Sequence, residues 1–138
     1  MKDIYYEKIE KNGVVFAEII YANSSTPITK FVSDDKQSLQ FGLLAHEAGF
    51  IEAPHYHKPI KRVINNLEQM FVVQRGKIKI TFFDLNDGNK AFRNVILNVG
   101  DAINLVDGGH SLEVLESMQC ISVKQGPFMG DANDKIEF

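Results

Sequence analysis

Residues 77–84 read Lys-Ile-Lys-Ile-Thr-Phe-Phe-Asp. Ile78, Ile80 and Phe82 take every second position, and Lys77, Lys79 and Thr81 take the places between. In an extended strand successive side chains point to opposite faces, so this run has one apolar and one polar face. Its ends are punctuated. Gly76 precedes it, and residues 86–89 follow with Asp87-Gly88, a dipeptide suited to a tight hairpin. The stretch predicts a strand that buries Ile78, Ile80 and Phe82 and then doubles back over 92–99.

The same grammar recurs elsewhere in the chain. Residues 14–21 are rich in β-branched and aromatic types and predict an N-terminal strand. Further strands are predicted over 39–46, 55–57, 67–73, 102–106, 111–115 and 119–124, with turns at 47–49 and at Gly100-Asp101. The one helical expectation is over 1–11. Short strands at regular spacing with turn chemistry between them argue for an all-β sandwich or barrel. Phe71, Phe82, Ile78, Ile80, Leu105 and Ile121 are the expected core.

The length of 138 residues suits one domain, 1–138, with its barrel core over about 39–124 and a polar tail over 130–138. The formal net charge is −3 with both signs interspersed, so no basic stripe for nucleic acid is present. Lys58, Lys61 and Arg62 form only a short basic loop. No apolar run approaches the length of a membrane span, and 1–11 lacks the apolar centre of a signal peptide. A cytoplasmic location is therefore expected, with no membrane partner. Cys120 is the only cysteine, which rules out an internal disulfide and a cysteine-rich zinc site. It reads as an inert thiol in an apolar strand.

Four histidines remain as candidate chemistry: His46, His55, His57 and His110. His55 and His57 are two apart. On a strand such a pair shares a face, about 7 Å apart at the backbone, and two imidazoles can converge on one ion. Tyr56 between them would face away. The simpler readings are solvated strand residues for His55 and His57, a turn residue for His110 and a structural role for His46.

The surrounding spacing resembles the two sequence motifs of the cupin family. Gly49, His55, His57, position 69 and Gly76 match the first motif, and Gly100, Gly108 and His110 match the second. The resemblance covers about 39–123. It implies a double-stranded β-helix, or jelly-roll barrel, holding a divalent transition metal (zinc, manganese, iron or nickel) on His55, His57, Gln69 and His110. The ending 121–128, Ile-Ser-Val-Lys-Gln-Gly-Pro-Phe, is similar to that of a little-characterised cupin group often found with surface-sugar genes.

Three departures from the motifs stand out. Gln69 occupies the place of the usual Glu, with Glu68 beside it. Neighbours on a strand face opposite ways, and Gln69 shares parity with Phe71 and Val73, so Gln69 is expected inward and Glu68 toward solvent. Ten residues, 58–67, separate His57 from Glu68, a longer gap than the motif has and a candidate lid. Val106 replaces the motif's proline.

A neutral amide beside three imidazoles leaves a divalent ion its full charge, which favours an anionic substrate. The resemblance thus implies a metal-binding cupin acting on a small polar, anionic, carbohydrate-like molecule by isomerase, ring-opening or lyase chemistry. The catalytic residue is not identified; Glu68, His46 and Glu52 are the candidate bases. The alternatives are a non-catalytic sugar-binding cupin, a metal-free enzyme similar to nucleotide-sugar ketoisomerases, and an iron-dependent dioxygenase. A homodimer that exchanges or pairs the N-terminal strand is also expected, since bare barrel edges invite pairing.

Overall fold

The structure is a computed structural model and describes residues 5–138. It is almost all β. One antiparallel sheet of six strands curls into a half-barrel. The strands are β1 (Tyr6–Lys11), β2 (Val14–Ile20), β5 (Gln69–Asp84), β6 (Lys90–Leu97), β7 (Ala102–Leu105) and β8 (Gly109–Lys124). Between β2 and β5 in sequence, the short strands β3 (Lys30–Phe31) and β4 (Gly42–Leu43) pair as a separate ribbon. A single helical turn, α1 (Asp131–Asp134), lies in the C-terminal tail.

The order across the sheet is β1-β2-β7-β5-β6, with β8 on the other edge of β5. The long β5 does the organising. Its first residues, Gln69–Val72, pair with β7, and Ile78–Asp84 pair with β6. Along nearly its whole length β5 also pairs with β8. Three register shifts interrupt that ladder between Val73 and Ile78. Gly76 sits there with φ 81°, and a Cβ on it would run into the backbone carbonyls of Glu116 and Ser117. A left-handed backbone against a neighbouring chain is a place only glycine fills without strain, and such bulges bend and twist a sheet. The predicted break at Gly76 is therefore a bend within one strand. The predicted 111–115 and 119–124 are likewise two halves of β8.

The concave face buries Ile78, Ile80, Phe82, Val73, Leu97 and Ile103, joined by Ile9, Ala17 and Ile19. The alternation read in 77–84 is realised: Ile78, Ile80 and Phe82 are fully buried, while Lys77 and Lys79 pair with Glu116 and Glu113 on the outer face. The Asp87-Gly88 hairpin joins β5 to β6. At the turn into β7, the Asp101 carboxylate accepts the N–H groups of Ala22 and Asn98, both at 2.8 Å.

Several expectations are corrected. Tyr6–Lys11 is a strand, not a helix; residues 1–4 lie outside the described residues. Ile9 is fully buried against β2, a sheet contact that outweighs the weak helical pattern of this charged segment. Within 39–46 only Gly42–Leu43 pair, and residues 55–57 belong to no ladder. The strand expected over 14–21 is present as β2, between β1 and β7. Among the described residues no helix is long and apolar enough to cross a membrane.

Candidate functional site

Residues 49–67 form an exposed arm without regular structure. The arm leaves from the β3–β4 ribbon, where Thr29 Oγ1 and the Ala45 N–H lie 3.1 Å apart. It returns where the Asn66 amide donates to the Val106 carbonyl at 3.1 Å. Pro54 and Pro59 flank the histidine pair and remove two backbone donors, which suits an edge rather than a sheet centre. The arm exposes Phe50, Ile51, Tyr56, Ile60, Val63, Ile64 and Leu67.

His55 and His57 lie mid-arm with ring centroids 5.4 Å apart, so the pair is close together, as their spacing suggests. His55 Nδ1 lies 2.9 Å from the Ala53 carbonyl, which directs Nε2 outward, toward Glu52 Oε1 at 3.7 Å. An imidazole anchored through one nitrogen presents the other to a ligand. His46 is not part of this pair; it stacks on Phe50 at 3.9 Å and lies 3.5 Å from Thr29 Oγ1.

His110 is near the start of β8, paired across the ladder with Phe82. Residues directly opposite in a ladder share a face, so His110 is on the concave side with Ile80's partner Leu112 and Ile78's partner Val114. These three β8 residues are exposed although their β5 partners are fully buried. Although His110 keeps contact with water, surrounding protein strips enough hydration to hold its imidazole below the usual value, and the Lys135 ammonium adds to this. A neutral imidazole is the form that binds metals.

Gln69 pairs with Leu105 and Lys124 and shares the face of Phe71 and Val73. Its amide donates to Ser122 Oγ at 3.0 Å. Glu68 is on the other face, but it does not meet solvent as expected: it is 1% exposed. The strap over 30–43 covers that face, and Ser38 Oγ (2.6 Å), the Leu39 N–H (3.1 Å) and Asn104 Nδ2 (3.0 Å) all donate to its carboxylate. Parity assigns Gln69 and Glu68 to opposite faces; it cannot reveal that the strap covers the face of Glu68. Cys120 is half-buried against the concave core, and burial pushes its thiol above the usual value.

The donor types fit a divalent transition metal: three imidazoles and an amide oxygen. Their placement does not. The arm carries His55 and His57, β8 carries His110, and Gln69 is bonded to Ser122. Among the described residues no three His, Cys, Asp or Glu side chains are grouped closely enough to hold an ion.

The sequence reading missed a second polar centre. Glu18 and Asn104, cross-strand partners on β2 and β7, are fully buried beside Glu68 under the strap. Glu18 sits in the apolar run of β2, and a charged residue at such a place was the available sign of it. A pocket of about 300 Å³ lies above Glu68, lined by Gln37 and Ser38 of the strap, Ile64 to Asn66 of the arm, and Val106.

Comparison with known proteins found no matching family model, no matching curated protein and no matching solved structure.

Proposed function

We propose that this chain is a metal-binding jelly-roll protein whose site is completed when the arm closes over the concave face at β8. The carrying observation is that His110, Leu112 and Val114 are exposed on a face where their β5 partners Phe82, Ile80 and Ile78 are fully buried, while among the described residues the arm with His55 and His57 has no ladder partner. An apolar strand face and an apolar arm are each unfavourable in water, and covering one with the other removes both costs. Parity supports a fit. Residues 51, 53, 55 and 57 would turn their backbone groups to β8, leaving Pro54 facing outward, where no donor is needed. Pro59 would end the pairing.

His55, His57 and His110, with Gln69 as fourth ligand, would then hold a divalent transition metal. This ligand set carries no charge, so it favours an anionic, oxygen-rich small molecule such as a sugar acid or sugar phosphate. The reading includes catalysis of isomerase, ring-opening or lyase type, in the cupin family that the motif spacing resembles.

The test is the metal content of untagged protein purified without added metal, beside a His55→Ala/His57→Ala variant. Near-stoichiometric transition metal in the wild type, lost in the variant, is the expected result. A wild type that is empty and takes up no zinc, manganese, iron or nickel overturns the metal reading.

A further inference from the structure

Glu18 and Glu68 are buried together, at 0% and 1% exposure, under the 30–43 strap and on the sheet face opposite that of His110. No ion pair reaches either carboxylate among the described residues. Two negative charges without a buried cation are strongly unfavourable in a low-dielectric place, so something must neutralise one of them.

The surrounding atoms distinguish a proton from a metal ion. Glu68 accepts from Ser38 Oγ, the Leu39 N–H, Asn104 Nδ2 and Gln37 Nε2. A shell of hydrogen-bond donors suits a carboxylate and opposes a cation. Glu18 is different. Its Oε1 accepts from Gln37 Nε2, but among the described residues its Oε2 has no hydrogen-bond partner, and neither has Asn104 Oδ1 on the neighbouring strand. Gln125, which accepts the Glu68 N–H at 2.8 Å, also leaves its Nε2 unpaired. A proton on Glu18 Oε2 makes that atom a donor, and the orphaned Asn104 oxygen across the ladder is an acceptor for it.

We propose that Glu18 is carried as the neutral acid in the folded protein, and that its proton latches the strap onto the sheet. Gln37 links the two carboxylates, and Ser38 and Leu39 anchor to Glu68, so this one stretch of strap holds the whole cluster. Loss of the proton puts two like charges against Gln37 and releases the stretch, which also forms one wall of the pocket above Glu68.

The groups facing Glu18 are few. The Gln37 amide on the strap, then Lys8, its cross-strand partner on β1, and the Asn104 amide on β7 favour the charged form; Glu68, just before β5, opposes a second charge. Burial is the largest influence and raises the carboxyl above its usual value. The latch is therefore fully closed at acid pH and is lost as pH rises through the folded-state value.

Hydrogen exchange at Leu39, relative to Ile80 and corrected for its intrinsic pH dependence, tests this from mildly acid to alkaline pH. Wild-type Leu39 protection is expected to fall about tenfold per pH unit beyond the Glu18 value. In Glu18→Gln, which keeps the shape and cannot ionise, it is expected to stay level. Glu68→Gln, which removes an anchor, should loosen the strap at every pH. Protection in the wild type that does not change with pH overturns the proposal. So does loosening by a chelator at fixed pH, the result expected of a bound cation. The carboxyl carbon shift of Glu18 in the wild type gives an answer without any variant: that of a neutral acid at neutral pH is expected, and that of a carboxylate overturns the latch.

Discussion

His110 and Phe82 stand directly across one ladder and share one face, yet Phe82 is fully buried and His110 is exposed. The boundary of the core thus runs between β5 and β8. Closing the arm over β8 would move that boundary outward, and the arm's basic residues Lys61 and Arg62 are the natural reporters. Trypsin should cut the metal-free protein there readily. Added zinc should slow that cleavage at least tenfold in the wild type and leave it unchanged in His110→Ala. Equal cleavage with and without metal in the wild type would count against closure.

Lys11 and Asp84 tie the first strand to the end of β5. Lys11 Nζ lies 3.0 Å from Asp84 Oδ2 and 3.7 Å from Asp87 Oδ2, and the Asn86 N–H donates to Asp84 Oδ1 at 2.9 Å. The Lys11 ammonium, followed by that N–H, lowers the Asp84 carboxyl below its usual range. A lowered carboxyl adds stability above its unfolded value, and that stability is lost as pH falls through the folded one. Asp84→Asn should therefore lower the melting temperature at neutral pH, and the difference from wild type should vanish in strong acid. A gap that persists unchanged in thermal melts at acid pH would assign the effect to packing.

Gly76→Ala combines a left-handed backbone with a collision against the Glu116 and Ser117 carbonyls. Strain of this kind costs about 1–3 kcal/mol before the collision is counted. Denaturant unfolding should show a loss at or above that range. By contrast Gly88→Ala, also left-handed (φ 61°) but in open space, should lose only about 1 kcal/mol, as expected for alanine at a positive φ. Equal losses at the two sites would contradict the close approach at the bend.

Ile80→Ala empties a fully buried position in the middle of the concave core. Such truncations cost about 2–5 kcal/mol. Leu112→Ala, its cross-strand partner on the bare face, should cost less than about 1 kcal/mol without metal and more once the arm is docked. Unfolding curves with and without zinc would show this coupling.

The readable parts of this chain were those where one residue's neighbours in sequence settle its surroundings. Ile78, Ile80 and Phe82 could be read because alternation alone determines the face, and the Asp87-Gly88 turn because its chemistry is local. The absence of a ladder around His55 and His57 among the described residues could not, since extended backbone becomes a strand only with a partner, and sequence does not name one. Glu68 shows a different limit. Parity separated it from Gln69, but solvent on its side is excluded by Ser38 and Leu39, some thirty positions earlier in the chain.

The bent ladder at Gly76 has a kinetic side. Because β5 and β8 both run through the bend, Phe83 pairs with Gly109 and Gln69 with Lys124, and no cut divides the sheet into two halves that could form alone. The β5–β6 hairpin can close early, but the Gln69 end must wait until almost all of the later chain has been made. Long-range closure of this kind slows folding. On the ribosome, β5 would emerge with its second edge open until β8 follows, and that interval is when a neighbouring nascent chain could pair with it.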